Sequence, residues 1–322
     1  MTEETTSKNV MIEAKSLTKY YGSFPAIENV SFTIHKGEVV GFLGPNAAGK
    51  TTTMRILTGF MPPTSGTATV AGYDVLTQSL EMRRHIGYLP ESVPLYLDET
   101  VSGYLDYMGA LRGMDAKRRK TRIADVVDIC RLDDYVDTHI GKLSKGFRQR
   151  VGIAQAILHD PDVLIMDEPT IGIDPIQVVE TRKLIKDLGK EHTLILSTHI
   201  LPEASAVCQR VLIIHEGQIV AEDKPENLGE KLQGMQRIEV EVRGPRSDVA
   251  QMLRNIKGVQ KLSWSGEGDQ IVYTVEARLG ADLRAEVART VVQRGWGLLR
   301  LTPLSMSLEE IFLKLTVQEE SQ

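Results

Sequence analysis

Eight consecutive residues, Gly44-Pro45-Asn46-Ala47-Ala48-Gly49-Lys50-Thr51, constrain this chain more than any other segment. They match the pattern GxxxxGK[ST], which cradles phosphate when it links a strand to a helix. That context is present in the sequence. Val30, Phe32 and Ile34 alternate as a strand, Lys36-Gly37 makes a turn, and Glu38–Leu43 reads as a second strand entering the loop. A helix is expected from Gly49 to near Gly59. Phosphate oxygens require converging donors, supplied by successive backbone N–H groups, a helix N-terminus and an ammonium group. Lys50 is the candidate to reach the β- and γ-phosphates, and Thr51 offers a hydroxyl to Mg²⁺. Gly44 to Thr52 together form the candidate nucleotide-binding loop.

Two further apolar runs end in polar residues. Val163–Met166 leads into Asp167-Glu168, and Thr193–Leu196 leads toward His199. Both read as buried parallel strands. Ligands of an open α/β sheet collect at the carboxyl ends of its strands, so the three polar clusters are expected along one edge. Asp167 would hold Mg²⁺ through its water shell, while Glu168 would polarise an attacking water as general base. Pro169-Thr170 then turns the chain, and Asp174-Pro175 suits an N-cap followed by proline at the first helical position.

Between the loop and Asp167 the texture is helical. Val101, Tyr104, Leu105 and Met108, then Ile123, Val126, Val127 and Cys130, recur at helical spacing, with Asp115 as cap of the second helix. A third helix is expected over Ser144–His159, stopped by Pro161. From about Leu228 the order becomes β-α-β-β-α-β with a final helix over Leu308–Thr316, opened by a Ser307/Glu310 capping box. That order resembles a ferredoxin-like domain. The expected fold class is therefore α/β with a helical insert, plus a small α+β domain. The expected domains are 1–228 and 229–322.

Composition narrows the setting. At 322 residues with 42% hydrophobic and 25% charged residues, the chain can bury two cores. Cys130 and Cys208 stand far apart, which argues against a disulfide framework or zinc site and for two buried thiols. The polar start, Met1 to Val10, lacks the apolar core of a signal peptide, and no apolar run approaches the ~20 residues needed to span a bilayer. A cytoplasmic protein that needs a partner for any membrane role is expected. The net charge of −5 gives no general attraction to nucleic acid, and none is expected as a partner. The basic run Lys117 to Lys120 with Arg122 reads as a solvated helix face.

On these motifs and their order, the chain resembles the nucleotide-binding subunit of ABC transporters from about Ile12 to Leu228, and the resemblance implies a RecA-like core with an antiparallel β subdomain and a helical subdomain at about 92–160. Leu143-Ser144-Lys145-Gly146-Phe147 occupies the place of the family's LSGGQ signature, and Ser144 and Gly146 match it. The resemblance implies that this helix end meets the γ-phosphate held by a second copy, so that two chains in head-to-tail arrangement share two ATP molecules. Simple N-capping by Ser144 is the competing role. The resemblance also implies that Tyr21 stacks on adenine, with Tyr20 as a rival and core filling as the alternative. It implies that Glu91, where a glutamine is usual, faces the metal, an exposed loop acid being the alternative. His199 matches a histidine that contacts the γ-phosphate, and Asp174 an aspartate that crosses between the chains, helix capping being equally physical. Lys145, Phe147, Glu91 and Ala47 depart from the pattern. If the loop requires positive φ at Ala47, strain of roughly 1–2 kcal/mol is expected to weaken ATP binding.

The segment Ser307-Leu308-Glu309-Glu310-Ile311-Phe312-Leu313 resembles the end of an accessory domain carried by ABC-2 export ATPases. The implied function is Mg²⁺-dependent ATP hydrolysis driving a multi-span permease, with the chain peripheral on the inner face of the cell membrane. A soluble ATPase of the same family acting on ribosomes or DNA is the alternative. A scaffold that binds ATP without hydrolysing it is a third possibility, disfavoured by Lys50, Asp167, Glu168 and His199.

Overall fold

The computed structural model describes residues 9–225, 235–266, 268–278 and 282–304. The chain divides into two compact units, Met1–Pro225 and Glu226–Gln322.

The first unit is built on a six-stranded sheet of order β10-β9-β3-β8-β7-β6. Its strands are β3 (Val39–Leu43), β6 (Ile86–Leu89), β7 (Val163–Asp167), β8 (Thr193–Thr198), β9 (Arg210–His215) and β10 (Gln218–Asp223). The first five run parallel and β10 pairs antiparallel to β9. Strands β3, β7 and β8 are buried along their whole length, as continuous apolar runs covered on both faces must be. Register puts Leu43 beside Thr198 and Asp167 beside Ser197. The chain therefore leaves β3, β7 and β8 into the phosphate loop, Glu168 and His199 at one sheet edge.

A second, antiparallel sheet of order β2-β1-β4-β5 joins β1 (Val10–Tyr21), β2 (Phe24–His35), β4 (Ser65–Val70) and β5 (Tyr73–Asp74). Ile12, Leu17, Val30, Phe32 and Ile34 from this sheet share one core with Val40 and Phe42 of β3 and with Met54 and Ile56. The last two lie on α1 (Lys50–Leu57), the helix that starts from the phosphate loop. Helix α2 (Ser79–Arg84) follows, with Met82 buried in the same core.

The helical insert consists of α3 (Val101–Leu111), α4 (Ala116–Cys130) and α5 (Lys145–Ile157). Asp115 caps α4 by accepting from the Arg118 backbone N–H, and Ser144 caps α5 by accepting from that of Phe147. Asp160 at φ 61 and Pro161 end the following turn. The basic run is not simply solvated. Arg118 donates to the His159 carbonyl, Arg122 to those of Ile157 and Leu158, and Arg119 pairs with Asp106. The guanidinium groups of Arg118 and Arg122 thus bond carbonyls where α5 ends, so these charges serve a helix C-terminus. Both cysteines are buried, and burial pushes each thiol up to about 12. Helices α6 (Pro175–Leu188) and α7 (Leu201–Val207) complete the unit. No helix among the described residues is long and apolar enough to cross a membrane.

The second unit reads β11 (Met235–Arg243), α8 (Arg246–Asn255), β12 (Val259–Ser265), β13 (Gln270–Arg278), α9 (Arg284–Gln293) and β14 (Gly297–Leu304). Its sheet order β12-β13-β11-β14, all antiparallel, is that of a ferredoxin-like fold. Ile238, Val240, Val242, Ile271, Tyr273 and Val275 alternate onto one face and meet Val249, Leu253, Val287 and Val291 of the two helices. The expected final helix Leu308–Thr316 and its capping box lie outside the described residues.

Candidate functional site

A cleft of about 430 Å³ opens over the phosphate loop. Tyr21 and Phe24 wall one side, Asn46, Ala47, Gly49, Lys50, Thr51 and Thr52 form the floor, and Glu91, Glu168 and Ile171 close the other side. The aromatic wall is a hairpin device: Gly22 at φ 62 turns the chain, and Tyr21 pairs with Phe24 across it. Tyr21 is 46% exposed, so it is not core filler, and its hydroxyl contacts the Met61 sulfur at 3.1 Å. Tyr20 points elsewhere and donates to Glu28 at 3.0 Å. Phe24 has no counterpart in the motif reading, because a phenylalanine after a turn carries no signal of its own.

The loop geometry depends on backbone freedom. Gly49 adopts φ 106, and a side chain at Gly44 would collide with the Ile214 carbonyl. Ala47 sits at φ 65, the left-handed region that costs an L-residue roughly 1–2 kcal/mol. The condition set for strain at this position is therefore met in the loop itself.

Lys50 is buried, and its ammonium donates to the carbonyls of Gly44 at 2.8 Å and Pro45 at 3.0 Å. It also pairs with Glu168 Oε1 at 3.2 Å. The other oxygen, Glu168 Oε2, lies 3.0 Å from His199 Nδ1. One carboxylate thus joins the phosphate-loop ammonium to the imidazole. A buried charge needs such partners, since leaving either member alone would incur an uncompensated desolvation cost. Glu168 itself sits at φ 48, with its N–H donating to Ser197 Oγ at 3.0 Å.

Asp167 is 1% exposed. Its Oδ1 accepts from Ser197 Oγ at 2.5 Å, and its Oδ2 is buried without a partner. An orphaned carboxylate oxygen beside the phosphate loop is the donor chemistry that a hydrated Mg²⁺ would satisfy, so these residues fit the ion. The half-buried Tyr88 reports the local field. Burial and then the Asp167 charge push its phenol up to about 12. Ser197 was not singled out among the candidate residues. Its signal is a hydroxyl ending the otherwise apolar Leu194-Ile195-Leu196, opposite Asp167 in register.

A third buried carboxylate braces the same edge. Glu203 on α7 accepts from Thr170 Oγ1 at 2.5 Å, from Thr198 Oγ1 at 3.2 Å and from Arg182 at 2.9 Å. It ties the segment after Glu168 to the residue before His199.

Ser144, Gly146 and Asp174 do not line the cleft over the phosphate loop. Ser144 starts α5, where Phe147 stacks on Tyr135 with ring centroids 4.2 Å apart. Gly146 packs against Gln177, and Lys145 lies over Gly172. Arg150 pairs with Glu180 and donates to Gln177 at 2.9 Å, which fixes α5 against α6. Asp174 caps α6 by accepting from the N–H groups of Ile176 and Gln177, both at 3.1 Å. Beyond the cap, Ile176 and Val179 are 73% and 64% exposed.

Comparison with known proteins agrees with this layout. Residues 27–171 match the family model described as ABC transporter. The ABC transporter ATP-binding protein NatA of Bacillus subtilis (strain 168) is 40% identical over 64% of this chain and 84% of its own length. The Nod factor export ATP-binding protein I of Rhizobium sp. (strain N33) is 34% identical over 96% of this chain and 98% of its own. Among solved structures, a dimeric bacterial ABC transporter cassette superposes with TM-score 0.62 at 25% identity, over 67% of this chain and 99% of that one. A phosphate loop, a linked Lys50–Glu168–His199 chain and relatives matched along nearly the whole sequence lead to one statement: the chain belongs to the ABC transporter family and is an ATP-binding and ATP-hydrolysing cassette.

Proposed function

We propose that this chain is the ATPase subunit of an ABC-2 exporter, closing head-to-tail with a second copy around ATP and driving a multi-span permease from the inner face of the cell membrane. The observation that carries the proposal is the 3.2 Å and 3.0 Å linkage of Glu168 to Lys50 and His199 at the mouth of the phosphate loop. It equips the cleft for hydrolysis and not for binding alone.

The backbone N–H groups of Asn46, Ala47 and Gly49 to Thr52 receive the phosphates, and Tyr21 with Phe24 offers the adenine an aromatic face. The triphosphate competes with Gly44 O, Pro45 O and Glu168 for the Lys50 ammonium. As Lys50 turns to the β- and γ-phosphates, the Glu168 carboxylate is released from its ion pair to accept from the attacking water. Glu168 then takes a proton from water as the water oxygen attacks the γ-phosphorus and the bond to the β-phosphate oxygen breaks. His199 holds the carboxylate in line from Nδ1, and a second proton on Nε2 would let the same ring donate to a γ-phosphate oxygen. Thr51, Asp167 and Glu91 are the residues that would hold Mg²⁺. When bound, that ion would supply positive charge to offset the charge of the phosphate oxygens.

Ser144 and Gly146 belong to the partner's half of the site in this reading. Their place outside the cleft formed by their own chain supports that assignment, as do the exposed Ile176 and Val179 after the cap Asp174. Export is supported by the Nod factor export relative, whose match runs through both units. For the permease, Tyr96, Tyr107 and Leu111 leave apolar surface open on the helical insert and the segment before it.

The test is capture of the Glu168→Gln chain with ATP from native membranes in mild detergent. A stoichiometric multi-span membrane protein is expected. Ribosomes, DNA or the homodimer alone would overturn the exporter reading while leaving the ATPase intact.

A further inference from the structure

The second unit carries a cavity of about 460 Å³ between α8 and β12, within the range of small-molecule sites. Its composition is one-sided. Arg246 and Arg254, two turns apart on α8, lie over the same indole, with their guanidinium carbons 5.2 Å and 5.4 Å from the Trp264 ring centroid. Ala250, midway between them and buried, keeps the floor low. Ser247, Gln251 and Asn255 supply a parallel row of polar groups one position along the helix.

Among the described residues no carboxylate lines this cavity. Among the described residues neither Arg246 nor Arg254 has a carboxylate within ion-pair distance. The nearest acid in sequence is Asp248, which accepts from Ser247 Oγ at 3.0 Å. Elsewhere in the unit arginines do find partners, as Arg300 does at Glu239 and Arg284 at Asp282. Two like charges held against one ring repel each other, and an anion between them removes that cost. Residues 235–304 also carry eleven Lys and Arg against eight Asp and Glu, in a chain whose net charge is −5.

We infer that the Arg246–Trp264–Arg254 cavity is a binding site for a phosphate-bearing anion, separate from the ATP cleft. Guanidinium forks match phosphate oxygens bidentately, and the amides of Gln251 and Asn255 can donate to the remaining ones. The phosphate belongs either to a soluble molecule or to an anionic lipid headgroup, which the same donors recognise.

Trp264 is the local reporter, because the chain has two tryptophans and Trp296→Phe leaves it alone. In that background, Trp264 emission of the full chain is followed against inorganic pyrophosphate and, separately, against vesicles of phosphatidylcholine with phosphatidylglycerol. Pyrophosphate held at the phosphate loop leaves this signal unmoved, since no tryptophan lies in that cleft. A saturable change with one probe is expected, with the midpoint raised at least tenfold by R246Q/R254Q. The double variant K257Q/K261Q, which removes the same charge outside the cavity, should shift it less than twofold. Response to pyrophosphate assigns a soluble ligand, and response to vesicles alone assigns the headgroup. No response to either probe, or equal loss in the two double variants, would overturn the inference.

Discussion

The two units of this chain treat backbone strain differently. In the described part of the first, eight non-glycine residues hold positive φ, and two of them, Ala47 and Glu168, line the ATP cleft. In the described part of the second, only glycines do so, among them Gly258, Gly266, Gly268 and Gly295. The buried charges follow the same division: Lys50, Asp167 and Glu168 lie inside the first unit, while the core of the second is apolar apart from the Tyr273 hydroxyl, which donates to the Arg246 carbonyl at 3.2 Å. Strain and buried charge persist where surrounding contacts over-determine them, and at the ATP cleft the positive φ of Ala47 and Glu168 stands beside the buried Lys50. The second unit places its charges at the rim of a regular α+β frame.

Equal substitutions in the two units should separate these designs. Gly44→Ala is expected to cost the most, about 3 kcal/mol, because its Cβ meets the Ile214 backbone and not a movable side chain. Denaturant unfolding together with ATP binding would show both losses. Next comes a pH effect confined to the first unit. Burial, followed by the charge of Arg112, lowers His159 to about 3, with Ile86 O accepting its Nε2–H at 3.0 Å. The unfolded chain then binds the proton and the folded one does not, so stability falls as pH drops from the unfolded value near 6.5 toward 3. The loss between pH 7 and pH 5 should be about 2 kcal/mol, and His159→Phe should remove this part of the slope. Gly295→Ala, at φ 75 with open space around it, should cost only about 1 kcal/mol of left-handed strain. The smallest effect is Ala47→Gly. The free loop already carries φ 65, so relieving it should stabilise the fold by up to about 1 kcal/mol and change ATP affinity less than about threefold. An affinity gain larger than that would restore the expectation that strain at Ala47 weakens binding itself.

Much of this organisation is legible without coordinates, wherever local pattern and chemistry coincide. The phosphate loop lies between strand and helix, Asp115 caps α4, and the alternation of Ile238, Val240 and Val242 locates β11. The parallel runs ending at Asp167 and Ser197 predict one polar edge because ligands gather at strand ends. What escaped depends on distance in space. The side to which Tyr21 turns follows from register shifts in β1, between Leu17, Lys19 and Tyr20, that no alternation pattern encodes. Ser197 and Glu203 matter through partners 30 and 33 residues away. Arg118 and Arg122 read as solvated charges because the carbonyls they satisfy belong to the end of another helix.

The central claim is that Glu168 performs the proton transfer in an otherwise intact ATP site. It is tested most directly by measuring ATP binding, ATP-dependent dimerisation and turnover together in Glu168→Gln. The account predicts binding within about threefold of wild type, a dimer trapped by ATP, and turnover reduced at least a hundredfold, as expected for loss of a general base. Turnover at the wild-type rate, with binding and dimerisation unchanged, would contradict it.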